Sequence, residues 1–507
     1  MHPGIHAAER GDKAAAIEAA SGATQSYAAL EGASNRLAQL FRAEGLEAGD
    51  HVAILLENSA RYLEVTWAAL RAGLFVTPIN WHLGPLEAGY IIEDCDATAL
   101  ISSARFAGTV EAMLGSLGRL RLRLSIGGGI EGFDNLDEAT ATHTSTPIAD
   151  ETEGSWMFYS SGTTGQPKGI LPTRSGAPLG TGSGFDLLLR GHYGFSDETI
   201  YLCPAPLYHA APAGWSLSTQ RIGGTVVVME RFDPEAALAA IERYRVSHVL
   251  FVPTHFVRLL KLPAEVRARY DLSSLEVVVH AAAPCPVEVK RQMLAWLGPI
   301  IHEFYAGSEG NGFFAIGPEE WLAHPGSVGR PVSGGVHILD EEGTELATGE
   351  DGQIWFEAPN RFAYHKDPDK TAAAFNERGW STLGDIGHLD EEGYLYLTDR
   401  VAHMIISGGV NIYPREIEDV LISHPGVADV AVIGLPDEEM GEWVLAVVEP
   451  TDPEAADGVL AAELLALCRS RLAGFKCPRR IDFDVDLPRL PTGKLLKRVL
   501  IERYRAR

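Results

Sequence analysis

Cysteine is scarce and scattered in this chain of 507 residues: Cys95, Cys203, Cys285, Cys468 and Cys477 are odd in number and contain no Cys-x-x-Cys pair. That argues against a disulfide framework and a thiolate zinc site, and for reduced thiols in a cytosol. Long apolar runs are missing too. None approaches the ~20 residues that a bilayer span needs, so no transmembrane segment is expected. The start, Met1-His2-Pro3-Gly4-Ile5-His6, has neither the basic nor the apolar stretch of a signal peptide, and a cytoplasmic location is expected. Positive charge is in short supply: 42 Lys and Arg face 68 Asp and Glu, a formal charge of −26. Such a chain repels polyanions, so nucleic acid is not an expected partner. The deficit is uneven, because residues 471–507 hold eleven Lys and Arg against four Asp and Glu. That basic end suits either a local polyanionic ligand or a solvated helix end.

What is present reads as a soluble protein with 46% hydrophobic and 22% charged residues. The length predicts two or more domains. An apolar strand over 52–56, a helix over 59–71 and a second strand over 74–79 predict an α/β sheet covered on both faces. The pattern recurs in a helix over 236–245, started by Asp233 and Pro234, and in strands over 249–252, 275–280 and 300–305. Beyond residue 400 the order changes to a helix over 414–424, strands over 427–433 and 444–448, and a helix over 455–473. This predicts a small α+β domain. No internal repeat or low-complexity tract is present.

The run from Tyr159 to Gly169 carries the most chemistry. Ser160, Ser161, Thr163 and Thr164 offer hydroxyls, Gly162, Gly165 and Gly169 let a backbone approach an anion, and Lys168 adds a full charge. The composition suits a phosphate chain. It is not a Walker A loop, because Gly169 rather than Ser or Thr follows Lys168.

Further motifs follow in order: Pro206-Leu207-Tyr208-His209, Tyr305-Ala306-Gly307-Ser308-Glu309, Gly384-Asp385, Asp399-Arg400, the run from Ser407 to Pro414 with Glu416 and Glu418, and Pro491-Thr492-Gly493-Lys494. In these motifs the chain resembles, over nearly its whole length, the adenylate-forming superfamily of acyl-CoA synthetases, adenylation domains and beetle luciferases. It is most similar to the acyl- and aryl-CoA ligases. The resemblance implies an α/β fold, with a large N-terminal domain of layered subdomains over 1–399 that holds the ATP and acyl pockets. A small, mobile α+β C-terminal domain over 400–507 would carry a catalytic lysine. The implied reaction has two steps: a carboxylate and ATP give acyl-adenylate and pyrophosphate, and a thiol, usually that of coenzyme A, then displaces AMP.

By the same resemblance Ser160, Ser161, Gly162, Thr163, Thr164, Gly165 and Lys168 hold the phosphates, and Glu309 binds Mg2+. Ser308 supplies a phosphate-facing hydroxyl where the family commonly has Thr. Tyr305 stacks on adenine against a wall of Ala282, Ala283 and Pro284, a segment where many relatives have glycine. Asp385 binds the ribose and Arg400 reaches ribose or phosphates. The usual Thr-Gly-Asp is Leu383-Gly384-Asp385 here, with Thr382 one place early, so the threonine's role does not carry over. Lys494 is the expected catalytic lysine of adenylation, and Ala402 occupies the hinge position. Gly408 and Gly409, next to Ser407, line the pantetheine tunnel, and Lys476, Arg479 and Arg480 are expected contacts for the phosphates of coenzyme A.

His209 resembles the aromatic gate between ATP and the acyl pocket. Around it Ala210, Ala211, Ala213, Gly214, Trp215, Val279, Ala281, Gly307 and Phe313 offer an apolar pocket with small residues at its floor. That lining predicts a hydrophobic acid: fatty, aryl or alicyclic. The alternatives are a stand-alone adenylating enzyme that loads a carrier-protein thiol, and a nucleotide-binding protein without catalysis. Retention of Lys168, Glu309, Asp385 and Lys494 argues against the latter. A homodimer is compatible with the sequence.

Overall fold

In the computed structural model the strand–helix–strand expected over 52–79 forms as His51–Leu55, Ala60–Arg71 and Phe75–Pro78. Ser59 starts the helix, its hydroxyl accepting from the Tyr62 N–H at 3.3 Å. The structure describes the chain except residues 161–166, 182–183, 358–360, 401–402, 408–409, 438–439, 490–494 and 506–507, and except the side chains of Ser116, Ser160, Arg400 and Asn411. It divides into two units. One comprises Met1–Phe251, Leu262–Val278 and Arg361–Ala373, the other Val252–Lys261, Val279–Asn360 and Ala374–Arg507.

The first unit holds a six-stranded parallel sheet in the order Asp134–Asn135, Leu122–Ile126, Ala97–Ser103, His51–Leu55, Phe75–Pro78, Ser155–Trp156. Its strands are apolar throughout because helices cover both faces. Arg71 ends the helix Ala60–Arg71 fully buried, with Nη2 2.6 Å from Glu31 Oε2, a further bond to Asn35 Oδ1 and Nε 3.4 Å from Glu151. A second sheet runs His248–Phe251, Ile200–Cys203, Thr225–Val228, Ala14–Glu18, all parallel, with Thr24–Ser26 antiparallel at its edge. The helix Pro234–Tyr244 feeds it, capped by Asp233, which accepts from the Ala236 N–H at 2.9 Å. A small antiparallel sheet joins Phe158–Ser160, Lys168–Leu171 and Ala363–Tyr364.

The second unit is built on antiparallel strands: Ile301–Ala306, Phe313–Ile316, Ser327–Ser333, Leu395–Arg400, Asp385–Leu389, Gly352–Glu357 and Gly335–Leu339. Phe314, Val328, Ile338, Ile354, Phe356 and Leu395 form its core, and Tyr305 and Leu383 pack on them. Further on, the helix Pro414–Ile422 precedes a long hairpin, Val427–Asp437 with Gly441–Pro450. This hairpin outruns the strands expected over 427–433 and 444–448, since pairing continues to Asp437↔Gly441. The helix expected over 455–473 is shorter, Gly458–Arg471, because Asp457 accepts from the Val459 and Leu460 N–H groups and so starts it there. Among the described residues no helix is long and apolar enough to cross a membrane.

Candidate active site

In the first unit, the donor-rich run sits on a hairpin. Lys168 is the register partner of Ser160, and Gly169 that of Tyr159. Ser161, Gly162, Thr163, Thr164 and Gly165 lie outside the described residues. The base of the hairpin is anchored: the Tyr159 hydroxyl donates to Asp94 Oδ2 at 2.6 Å, and Tyr159 and Leu171 pack on the core around Ile91 and Met157. Gly169 permits this, since a Cβ there would lie 2.3 Å from Met157 Cε and 3.0 Å from Tyr159 Cζ. Partial burial lowers the Lys168 ammonium pKa, against the opposing pull of Asp367.

His209 ends an extended segment and caps the helix Ala210–Ile222. Its ring lies 4.5 Å from that of Tyr208, which Trp81 meets edge-on at 4.7 Å. Asn58 fixes the approach to this helix. Its buried amide donates to the carbonyls of Ala205 at 2.8 Å and Met229 at 3.1 Å, and accepts from the Leu207 N–H at 2.8 Å. The sequence held no signal for that role beyond an Asn following an apolar strand. Along the helix Ala213 and Trp215 are buried, and a Cβ at Gly214 would make ordinary contact with Phe185 at 3.5 Å.

The second unit brings several expected residues together. The Tyr305 hydroxyl donates to Asp385 Oδ2 at 2.5 Å, and Asp385 is the register partner of Arg400 on the next strand. Thr382 does have a task, different from the family's: its hydroxyl donates to the Ile354 carbonyl at 2.8 Å and accepts from the Gly384 N–H at 3.0 Å, shaping the turn into Asp385. Glu309 is half-buried in a turn closed by Gly310 N–H to Gly307 carbonyl at 3.1 Å, beside exposed Ser308. Gly307 allows close packing there, since its Cβ would lie 2.7 Å from Leu383 and 2.9 Å from Glu309 Oε2.

Ala281 is buried, Ala282 and Pro284 are exposed, and Ala283 lies between. Ala282 has φ 73°, a left-handed conformation that favours glycine. Ser407 ends the strand Ile405–Ser407 and pairs with Val410, with Gly408 and Gly409 outside the described residues. Lys476 is engaged by Glu416 at 2.6 Å, Arg479 by Asp437 at 2.5 Å and Arg480 by Asp482 at 2.7 Å. Lys494 and Ala402 lie outside the described residues. The loop before Lys494 is preceded by Arg489, which forms a two-bond ion pair with Asp429 and a backbone bridge with Leu495.

Residues 5–363 match the AMP-binding enzyme family, and residues 416–494 match the AMP-binding enzyme C-terminal domain. The chain is 36% identical over 486 residues to a feruloyl-CoA synthase from Amycolatopsis sp, covering 95% of this chain and 94% of that one. It is 31% identical over 503 residues to the long-chain-fatty-acid–CoA ligase FadD13 of Mycobacterium tuberculosis, covering 97% and 95%. Its fold matches the crystal structure of ATP-bound MatB from Rhodopseudomonas palustris with a TM-score of 0.84 at 29% identity, covering 99% of both chains.

Proposed function

The chain belongs to the AMP-binding enzyme family and is an acid–thiol ligase, and we propose that it activates a hydrophobic carboxylic acid as an acyl-adenylate and transfers the acyl group to coenzyme A. In the first step a carboxylate oxygen attacks the α-phosphorus of ATP and the bond to the bridging oxygen breaks, releasing pyrophosphate. In the second a thiolate attacks the acyl carbon and AMP leaves. The observation that carries the reading is the Tyr305–Asp385 hydrogen bond, on the same framework as the Gly307–Glu309 turn and Leu383. It gives one rigid support to a planar ring, a carboxylate suited to ribose hydroxyls and a carboxylate suited to a hard cation.

Lys168 and the hydroxyls and backbone of residues 160–165 bind the phosphates under this reading, and Ala282, Ala283 and Pro284 face the adenine. Arg400 assists at the ribose. Lys494 stabilises charge on the α-phosphate as the carboxylate approaches. Glu309, half-buried in its glycine-flanked turn, suits a magnesium ion that arrives with the triphosphate, which would neutralise phosphate charge. His209 gates the acyl pocket, and Ala213, Gly214, Ala281 and Gly307 leave room in it. Ser407, Gly408 and Gly409 serve the pantetheine arm, and Lys476 exchanges Glu416 for a phosphate of coenzyme A. The division into 1–399 and 400–507, with a hinge at Ala402, lets the second part present Lys494 and then the Ser407–Gly409 loop.

The test is mass-spectrometric detection of acyl-CoA and AMP from a panel of fatty, cinnamic, benzoic and alicyclic acids, with ATP and Mg2+, with and without coenzyme A. Acyl-CoA from one group of acids is the expected result, and Lys494→Ala should cut acyl-AMP formation by roughly 10²–10³-fold. Acyl-AMP without any thioester would move the acceptor to a carrier-protein thiol. No turnover of any acid would refute the ligase reading.

A further inference from the structure

Three charged or ionisable side chains are sealed inside the second unit. Lys290 and His280 are fully buried and Glu303 is 6% exposed. Lys290 Nζ donates to Glu303 Oε2 at 2.6 Å, and His280 Nε2 lies 3.3 Å from the same oxygen. The Lys290 ammonium also sits 4.7 Å from the Trp321 ring centre, and Phe256 meets the His280 ring edge-on at 5.2 Å. Burial alone would raise the Glu303 carboxyl's pKa, and the adjacent ammonium outweighs it and keeps the group ionised.

Such a cluster is a poor way to gain stability, because apolar residues of similar volume do as well or better. Its geometric effect is specific, however. Glu303 lies on the strand Ile301–Ala306, two residues before Tyr305, so both side chains leave the strand on one face. His280 ends the strand Val277–His280 and is followed directly by Ala281–Pro284. Lys290 comes from the helix Val287–Leu297, which begins just beyond that segment. One carboxylate oxygen therefore ties together the strand that carries Tyr305, the residue that starts the 281–284 segment and the helix that ends it.

We infer that Lys290, Glu303 and His280 are positioning residues for the nucleotide, setting the distance between Tyr305 and the 281–284 segment. The inference rests on the proposed function in assigning adenine to that gap. An apolar core would hold these elements together but would not fix their separation, since dispersion contacts tolerate small shifts that a short charged hydrogen bond does not.

The test compares Lys290→Met, Glu303→Asp and the double variant Lys290→Met/Glu303→Leu with wild type, by direct ATP titration and by steady-state kinetics below the unfolding range. Lys290→Met leaves a buried carboxylate unpaired and is expected to lower Tm sharply. The double variant is expected to recover Tm, yet keep an ATP dissociation constant and ATP KM raised roughly tenfold or more, with the KM for coenzyme A unchanged. Glu303→Asp keeps the charges and withdraws the carboxylate by one methylene, and it is expected to raise ATP KM in the same way. Nucleotide affinity that returns with Tm in the double variant, or an unchanged ATP KM in Glu303→Asp, would overturn the inference. A wild-type protein that does not bind ATP would refute the proposed function itself, and is told apart because no substitution is involved.

Discussion

His255 offers a quantitative test of how the second unit responds to acid. It lies in the helix Pro253–Leu260, is 3% exposed, and its Nδ1 accepts from the Val252 N–H at 3.5 Å. Burial, aided by the charge of Arg258, pushes its pKa down to about 3. An unfolded histidine titrates near 6.5. Between those values the unfolded chain takes up a proton that the folded chain refuses, so stability is complete above about pH 6.5 and falls as pH drops. The slope is about 1.4 kcal/mol per pH unit inside the window, and the loss from pH 7 to pH 5 is about 2 kcal/mol. His255→Asn keeps an acceptor near Val252 and removes the titration. Hydrogen–deuterium exchange of slowly exchanging amides in peptides around 253–260 and 301–306, at pH 7 and pH 5 with correction for intrinsic rates, reads the local stability of this unit. The opening free energy of wild type should fall by about 2 kcal/mol more than that of the variant. Carboxylates common to both proteins cancel in the comparison. Parallel losses in the two proteins would refute the reasoning, because they would mean that the folded state accepts the proton as readily as the unfolded chain.

Other predictions follow from single contacts. Ala282→Gly should relieve a left-handed alanine worth about 1–2 kcal/mol while loosening the unfolded chain by about 0.4–1, for a net gain near 0.5–1 kcal/mol; an unchanged or lower Tm would contradict this. Gly307→Ala places a Cβ against Leu383 and Glu309, and should cost about 1–3 kcal/mol and raise the Mg2+ concentration needed for half-maximal activity. A magnesium response identical to wild type would count against Glu309 as the metal ligand. Tyr305→Phe removes the hydroxyl that donates to buried Asp385, so the ATP KM should rise about tenfold, for a lost hydrogen bond to a charged group of about 1.5 kcal/mol; an unchanged KM would show that Asp385 is positioned without it.

Local chemistry was legible in the sequence wherever it was written in neighbouring residues. Ser59 and Asp233 announced their helices, and the apolar run over 52–56 announced a strand buried on both faces. The order of the motifs brought out Tyr305, Asp385 and Glu309, and the first two are hydrogen-bonded. What escaped was fixed by contacts across long separations. Asn58 reaches residues 205, 207 and 229, and Lys290, Glu303 and His280 share no spacing that a strand or helix period would reveal. Thr382 was set aside because it stands one place from the family position, yet a hydroxyl at the start of a tight turn can still bond the backbone two residues on. The hairpin after residue 427 was read short because Gly434 and Pro436 look like breakers, whereas both lie within a strand whose register runs on past them.

Asn58 also has a consequence for how this scaffold can change. The segment entering the helix Ala210–Ile222 is held from outside that helix, by one amide that meets two carbonyls and one N–H. The anchor and the surface it orients are therefore separate in the chain. Under the proposed reading, Ala213 and Gly214 can be exchanged for larger or smaller side chains to suit a different acid while the backbone at His209 stays where it is. Tolerance to mutation should thus be sharply divided, wide along the inner face of that helix and narrow at one asparagine more than 140 residues upstream, and a library aimed at new acids gains most by varying the former and leaving the latter intact.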